Sequence, residues 1–397
     1  MLKKLAAATV LYLLIASFLP ALPKHTTALA SLFSLPEESS GVDFSDAEAA
    51  IRVIQEVAEK SSSVSFRATK TVILWHQSGT SACISNIAHK APNLTKTEYL
   101  PSSASSCGFR TVISDGKSTW HYEPSIQVVF HMHETSLCPD NGKSRADREE
   151  YNQTEDMLLI RANYEVALVA TENLAGRQAY VIELKPRHPG NPSRRIWVDR
   201  EYPFILKTEK YGPDGAMSSV SFYNQIEFVP LLSDDIFKLD IPPHVAKVEL
   251  PVSGNVIPLD ELEKEADFRI PVPEFIPPGY VIEGGILSPY KAFPSAHIRL
   301  TDGLNTISYF VSPGIARDKS GENKVSAMSD ISGATVLRWS KGDYEFTLVS
   351  ELDESLLTQM AQSVGAPHMQ ADSSQQSLSQ YLTRFFYQLF WIERQED

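Results

Sequence analysis

The residues of this chain best suited to chemistry are the two histidines of the segment His131-Met132-His133. Residues i and i+2 of a β-strand point to the same face, so both imidazoles could reach one metal ion. His121 and Glu123 lie on a predicted strand that we expect nearby. The sequence lacks the spacing of a four-ligand site, however, and histidines are common on exposed strands. We therefore predict that the protein binds no metal.

Catalytic motifs are absent from the sequence. It contains no G-x-S-x-G nucleophile elbow, no H-E-x-x-H zinc motif, no P-loop and no dinucleotide-binding fingerprint. We therefore predict a protein that is not an enzyme and that uses no cofactor.

The three cysteines, Cys83, Cys107 and Cys138, all lie in the first half of the chain. In an exported protein, three cysteines allow one disulfide and leave one thiol. The sequence does not choose among the three pairings, and three unpaired thiols are the alternative.

The overall charge and composition exclude several classes of protein. The formal net charge is −13 over 397 residues, whereas a general nucleic-acid binder needs a basic face. Hydrophobic residues make up 43% of the chain, which is too few for a protein with many membrane spans. The length is sufficient for two domains.

Residues 1–30 have the pattern of a secretory signal peptide. Lys3 and Lys4 precede an apolar run, and the small residues Ala28 and Ala30 follow it as a cleavage site. The apolar run is at the lower limit of a membrane-spanning length, so an uncleaved anchor is the alternative. We expect an exported protein, periplasmic or extracytoplasmic.

The elements that must position any binding site are short strands joined by turns. Hydrophobic and polar residues alternate in many segments of 43–241, and Asp115-Gly116 and Asp214-Gly215 have the composition of hairpin turns. Such strands form an antiparallel sheet with one buried face. A helix that begins at Ser45 and a second one at 149–163 would cover this sheet. The predicted fold class is therefore α+β.

Aromatic side chains are frequent on the predicted strands. A curved sheet with an aromatic inner face forms a pocket for an acyl chain or an apolar peptide. An ordinary core, filled beneath the helices, is the alternative. The aromatic residues predicted to bind an apolar ligand are Phe66, Trp75, Trp120, Tyr122, Phe130, Trp197, Phe204, Phe222 and Phe228.

A second, smaller domain is predicted after this sheet. Residues 242–257 begin with two prolines and are predicted as a linker. Residues 258–366 contain several predicted strands, followed by a helix for which Asp353 is a good N-cap. This pattern predicts an α+β domain with a core of its own.

Residues 367–397 are predicted as a polar linker followed by an amphipathic C-terminal helix. The apolar residues that recur at spacings of three and four are Leu378, Tyr381, Leu382, Phe385, Phe386, Leu389 and Ile392. Three surfaces to which this helix could bind remain open: the rest of its own chain, a partner helix or second copy, and a membrane surface. The tail has more acidic than basic residues, so an anionic membrane attracts it little. We predict that it docks on protein.

Deleting residues 377–397 is therefore expected to lower the melting temperature of the protein or to abolish its self-association. Calorimetry and analytical ultracentrifugation of the truncated and full-length chains measure these two properties. If the truncated chain keeps its melting temperature and its self-association but no longer sediments with liposomes, the helix binds the membrane instead.

A series of motifs runs through the last part of the predicted sheet. In chain order they are Gly176-Arg177, Arg195-Ile196-Trp197-Val198-Asp199, Tyr211-Gly212-Pro213-Asp214-Gly215, Phe222 and Phe237. This series resembles the MucB/RseB family, whose N-terminal domain belongs with the LolA/LolB lipoprotein carriers. The resemblance implies that residues 43–241 form an open half-barrel, covered by helices, around an apolar cavity.

The second predicted domain contributes to the same resemblance. The segments similar to the C-terminal domain of MucB/RseB proteins are 277–280 (PPGY), 301–304 (TDGL), 307–313 (ISYFVSP) and 342–349 (GDYEFTLV). LolA and LolB lack this domain. The resemblance spans residues 46–364, and the long loops near 141 and 319, the cysteines and the tail after Gly365 depart from it.

The resemblance implies a regulator of envelope-stress signalling. Such a protein would bind the extracytoplasmic segment of a membrane-bound anti-sigma factor and shield it from proteolysis. Release would follow when an apolar lipid or lipoprotein occupies the sensor domain. The alternatives are a LolA-like carrier of lipid or lipoprotein without a sigma pathway, and a structural envelope protein with a filled core.

Overall fold

The structure, a computed structural model, describes residues 47–76, 79–101, 109–133, 155–229, 231–251, 256–288, 294–314, 326–331 and 334–365. The described residues up to 250 belong to one compact unit and those from 251 onward to another. Each unit contains a β-sheet and helices, which confirms the α+β fold class. Among these residues no helix has the length and apolarity needed to cross a membrane. The predicted signal peptide and C-terminal helix lie outside them.

The first unit is built on a large, curved, open sheet of twelve strands. The strands are β1 (Phe66–His76), β2 (Gly79–Lys90), β3 (Leu94–Leu100), β4 (Arg110–Ser114), β5 (Ser118–Glu123), β6 (Val128–His133), β7 (Tyr164–Leu174), β8 (Arg177–Pro186), β9 (Ser193–Asp199), β10 (Ile205–Tyr211), β11 (Met217–Phe228) and β12 (Ala246–Pro251). Their order in the sheet is β12-β6-β5-β4-β3-β2-β1-β11-β10-β9-β8-β7. Most neighbours in the sheet are therefore also neighbours in the chain.

The two predicted Asp-Gly turns join strands of this sheet. Gly116 connects β4 to β5 with φ +83°, and Gly215 connects β10 to β11 with φ +80°. This left-handed backbone conformation favours glycine. In the first turn the Asp115 carboxylate accepts hydrogen bonds from the Lys117 and Ser118 amides at 2.8 and 2.7 Å. Both hairpin predictions are confirmed.

The helices of the first unit are α1 (Ala47–Lys60) and α2, residues 155–163. α1 buries Ala50, Ile51 and Val57, and α2 buries Met157 and Ile160. α1 packs against β7 at one end of the sheet. The spacing of the buried residues in α1 is that of an amphipathic helix with one face on a sheet.

Part of the segment predicted as a linker, residues 242–257, is a strand in the structure. β12 lies at the edge of the large sheet, next to β6. The Ala246 amide donates a hydrogen bond to the Gln127 carbonyl at 3.1 Å. Pro242 and Pro243 precede this strand and Pro251 is its last residue, which gives the segment an irregular composition. An edge strand tolerates proline because one side of its backbone needs no partner strand.

The second unit contains a six-stranded sheet. Its elements are α3 (Leu259–Glu265), β13 (Val281–Leu287), β14 (Ala296–Thr301), β15 (Thr306–Pro313), β16 (Ser326–Ile331), β17 (Ala334–Lys341), β18 (Tyr344–Ser350) and α4 (Glu354–Ser363). The strand order is β13-β14-β15-β18-β17-β16.

The core of the second unit is rich in stacked aromatic rings. Tyr309 and Phe346 stack with centroids 6.1 Å apart, and Trp339 stacks on Phe346 at 5.0 Å. α4 begins as predicted, because the Asp353 carboxylate accepts a hydrogen bond from the Ser355 amide at 2.8 Å. This unit therefore has a core of its own.

Candidate functional site

The strand register distributes the predicted aromatic residues over two opposite faces of the large sheet. Residues that pair directly across antiparallel strands point to the same face. Phe66 pairs with Phe228, and the successive pairs from β1 to β6 place Phe130 on the same face, which we call the Phe66 face. The opposite face, which we call the Trp120 face, carries Trp75, Trp120, Tyr122 and Phe222.

An aromatic cluster lies on the Phe66 face. The Phe204 ring is 4.8 Å from Phe66, 5.1 Å from Tyr223 and 5.6 Å from Phe228, measured between ring centroids. Phe66 and Phe204 are buried, whereas Tyr223 and Phe228 are half-buried. We call these four residues the Phe204 cluster. It joins three of the predicted aromatic residues in one apolar surface that solvent still reaches.

Sequence reasoning missed Tyr223 and its neighbour Lys70. A β-bulge between Thr69 and Lys70 shifts the register of β1 against β11, so that Lys70 pairs with Tyr223. The Lys70 Nζ lies over the Tyr223 ring, 5.4 Å from its centroid. Burial raises the pKa of Tyr223 to about 12 and lowers the pKa of Lys70. Shifted pKa values in a partly buried pair make these two residues candidates for a functional site.

Trp120 packs as a core residue of the other face. It contacts a small cluster that contains Ile113 and Phe237. Its ring also stacks on His131, with centroids 4.9 Å apart, and His131 Nδ1 is 2.7 Å from a Glu249 carboxylate oxygen. These contacts connect β5 and β6 to the edge strand β12.

The register separates the histidines considered above for metal binding. His121 pairs with Phe130 and is buried on the Phe66 face, whereas His131 lies on the Trp120 face. The two imidazoles therefore point away from each other across the sheet. Within the described ranges, no group of three or more His, Cys, Asp or Glu residues is arranged to hold a metal ion.

Trp197 is buried and makes specific polar contacts. Its Nε1 donates a hydrogen bond to Glu172 at 2.7 Å, and the Lys207 Nζ lies 4.0 Å from the ring centroid. Trp197 is 3% exposed and belongs to the same buried core cluster as Phe66 and Phe204, so it has a packing role. Trp75, Tyr122, Phe130 and Phe222 are half-buried.

A cleft of about 410 Å³ opens on the Trp120 face where β1, β2, β3 and β11 meet. Its lining includes Arg67, Asn86, Lys96, Glu98 and Glu227, and none of the nine predicted aromatic residues lines it. Lys96 and Glu98, two residues apart on β3, form an ion pair at 2.7 Å. Such a lining suits polar groups better than an acyl chain.

Cys83, on β2, is disulfide-bonded and 3% exposed. A disulfide is therefore present, which was the first of the two alternatives drawn from the sequence. The other two cysteines, Cys107 and Cys138, lie outside the described residues.

Comparison with solved structures identifies the fold. The structure of the Pseudomonas aeruginosa MucA/MucB complex matches with a TM-score of 0.56 and 17% identity, covering 81% of this chain and 99% of that chain. A structure of MucB in complex with MucA(peri) matches with a TM-score of 0.54 and 17% identity, covering 82% and 100%. At this level of identity the likeness concerns the fold.

Sequence comparisons give a relative and a family. An uncharacterized protein of Methanocaldococcus jannaschii is 26% identical over 174 residues, which cover 41% of this chain and 45% of that protein. The chain therefore spans less than half the length of that relative. The model of the MucB/RseB N-terminal domain matches residues 50–243, which contain nearly all of the large sheet. Residues 50–243, just under half of the chain, are therefore identified as a MucB/RseB N-terminal domain.

Proposed function

We propose that this protein is an exported, non-enzymatic regulator that binds the extracytoplasmic segment of a membrane-bound anti-sigma factor. The observation that carries the proposal is the fold, which is shared with MucB in two complexes with MucA over more than 80% of this chain. That coverage extends beyond the matched N-terminal domain, which ends at residue 243. A LolA-like carrier needs no second domain, so the second unit favours the regulator.

We also propose that the N-terminal domain senses an apolar ligand, a lipid or a lipoprotein. Support comes from the Phe66 face, where the Phe204 cluster and Phe130 leave apolar surface within reach of solvent. Aromatic side chains supply large contact areas to such ligands. Trp75, Tyr122 and Phe222 lie on the opposite face, so a single ligand cannot contact all nine predicted residues on one surface.

An exported location is consistent with the disulfide at Cys83, because disulfides persist mainly in oxidising compartments. The family resemblance implies the periplasm. Ligand occupancy would then be coupled to release of the anti-sigma factor, which is the regulatory step of this proposal.

The test uses the full chain and two peptide partners: the extracytoplasmic segment of MucA, and that of any single-span protein encoded beside the gene for this chain. We expect saturable binding of at least one segment in calorimetry, and weaker binding after saturation with oleate. Failure of both segments to bind would refute the regulator and favour the carrier. Binding that oleate leaves unchanged would refute the coupling alone.

A further inference from the structure

The sheet of the second unit has both of its described helices on one face. Leu357 of α4 belongs to the same buried cluster as Tyr309 of β15. Leu262 of α3 lies against β13, where a Cβ added to Gly285 would be 2.6 Å from the Leu262 side chain. Gly285 pairs with Ile298, another member of that cluster, so α3 and α4 cover the same face. The described part of this unit contains no helix on the opposite face.

The opposite face, which we call the His297 face, is identified by the strand register. Direct pairs connect Ile286 with His297, His297 with Phe310, Phe310 with Thr347, and Thr347 with Arg338. This row crosses β13, β14, β15, β18 and β17. A second row beside it consists of Arg299, Ser308, Val349 and Val336. The His297 face therefore combines apolar side chains with hydroxyl groups and three basic residues.

This face carries little net charge. Arg299 forms an ion pair with Glu283 of β13 at 3.2 Å. Glu345 of β18 lies on the same face, near Arg338. The two arginines of the face are therefore balanced by two carboxylates. The tail segment 377–397 is also nearly balanced, with two arginines and three carboxylate side chains. Its charge does not oppose contact with this face.

One polar atom of the His297 face lacks a partner among the described residues. His297 Nε2 is buried and has no hydrogen-bond partner there, and the imidazole ring is held by its stack on Phe310. Buried polar atoms of folded proteins normally have a hydrogen-bond partner. We therefore expect this atom to meet a group that the described residues do not supply.

The described chain ends at Gly365, close to one end of this sheet. The Val364 carbonyl accepts a hydrogen bond from Lys341 Nζ at 2.5 Å, and Lys341 is the last residue of β17, at the turn to β18. Val364 also forms a β-bridge with Pro273. Residues 366–376 span up to about 36 Å when extended, whereas packed layers lie roughly 10 Å apart. This segment is therefore long enough to pass round the end of the sheet to the His297 face.

The tail also has the length and the side chains to cover that face. As a helix, residues 377–397 would be about 31 Å long, and six strands span about 24 Å across a sheet. The apolar stripe of the predicted helix and its further aromatic residues would face water without a covering surface. Tyr381, in this stripe, supplies a hydroxyl group that can form a hydrogen bond with an imidazole nitrogen.

We propose that residues 377–397 form a helix that docks on the His297 face of the same chain and adds a third layer to the second unit. Helices on both faces of a sheet are a common way to bury both of its sides. The segment and the face both lie outside residues 50–243, the part matched by the family model, so this inference does not depend on the proposed function.

The test places a photoreactive aromatic residue in the tail of the full chain. With p-benzoylphenylalanine in place of Phe386, in the apolar stripe, irradiation is expected to cross-link the tail to peptides of β14, β15, β17 or β18 within the monomer. The same residue in place of Gln388, on the opposite side of a helix, is the matched control and is expected to give a yield lower by about fivefold or more. Mass spectrometry of the digested monomer identifies the cross-linked peptides.

Trypsin cleavage after Arg384 is a second measurement, because a docked helix is cut only when it opens. Phe310→Glu adds a charge to the His297 face and is expected to speed this cleavage about tenfold or more. Gln359→Glu adds the same charge to the exposed side of α4 and is expected to leave the rate unchanged. Near-UV circular dichroism shows whether the variants are folded. If Phe310→Glu is unfolded, the cross-link, which uses the unaltered face, decides the question.

Each outcome either supports or refutes this docking. Cross-links from position 386 to strands of the His297 face within one chain support it. Cross-links to peptides of the first unit, or between two copies of the chain, place the tail on another surface and refute it. Equal yields from positions 386 and 388, or cross-links to added lipid alone, refute docking on protein. A folded Phe310→Glu that is cleaved at the wild-type rate also refutes the assignment to this face.

Discussion

Replacing Arg177 with methionine is expected to lower the free energy of unfolding of the protein by about 3–5 kcal/mol, the cost of leaving a buried carboxylate without its partner. Arg177 begins β8, and its guanidinium donates hydrogen bonds to both carboxylate oxygens of Asp199, at the end of β9. The Asp199 side chain is 1% exposed, so water cannot replace the lost contact.

The Asp199 carboxylate also organises the turn that follows β9. One of its oxygens accepts hydrogen bonds from the Glu201 and Tyr202 amides at 2.9 and 3.0 Å. The Arg177 guanidinium lies over the Tyr202 and Phe228 rings, at 5.1 and 4.7 Å from their centroids. Loss of the guanidinium therefore also removes cation–π contacts beside the Phe204 cluster.

Arg200→Met is the matched control for this prediction. Arg200 is an exposed arginine of the same turn whose guanidinium donates to the Gln178 side chain at 2.7 Å. Its removal is expected to lower the free energy of unfolding by less than about 1 kcal/mol, because exposed polar contacts contribute little to stability. Urea denaturation, with hydrogen exchange at β8 and β9, measures both variants. Equal losses for Arg177→Met and Arg200→Met would contradict a special role for the Arg177–Asp199 pair.

Hydrophobic alternation and turn composition predicted most strands of both sheets, but not β7, β12 or β16. β7 reads YEVALVATENL, in which Ala, Leu and Glu are good helix formers. Its long pairing with β8 determines that it is a strand, and pairing partners cannot be read from local composition. β12 is predicted as part of a linker because Pro242 and Pro243 precede it and Pro251 ends it, which gives the segment an irregular composition.

The candidate site was harder to predict than the fold. A binding site requires side chains on the same face of the sheet, and the face of each side chain depends on the pairing register of its strand. The sequence selected Phe222 as a ligand-binding residue. The bulge beside Lys70 instead turns Tyr223 toward Phe66, because one extra residue in β11 inverts the alternation of its side chains. A bulge leaves no clear signal in composition.

The second unit contains a histidine that is expected to make its stability depend on pH. His297, on β14, stacks on Phe310 of β15, with centroids 4.2 Å apart, and its Nε2 is buried without a hydrogen-bond partner. Burial lowers the pKa of His297 from 6.5 to about 4, and the nearby positive charge of Arg299 acts in the same direction. Arg299 itself pairs with Glu283 at 3.2 Å.

The sign of the effect follows from proton binding. Between pH 6.5 and 4 the imidazole is protonated in the unfolded chain but neutral in the folded chain, so unfolding takes up a proton. The free energy of unfolding therefore has its full value above pH 6.5 and falls as the pH drops toward 4. A pKa difference of about 2.5 corresponds to a loss of at most about 3 kcal/mol.

The measurement is urea denaturation of the full chain between pH 7.5 and 4, with hydrogen exchange at β14 and β15 to assign the response to this unit. His297→Phe removes the titrating group and can keep the stack on Phe310, so its stability should fall less with acid than that of wild-type protein. His244→Gln, which removes an exposed imidazole of the first unit, should follow the wild-type curve. Carboxylate protonation adds a loss below pH 5 that all three proteins share, so the difference between the curves isolates His297. Parallel curves for wild-type protein and His297→Phe would mean that the imidazole is hydrated in the folded protein.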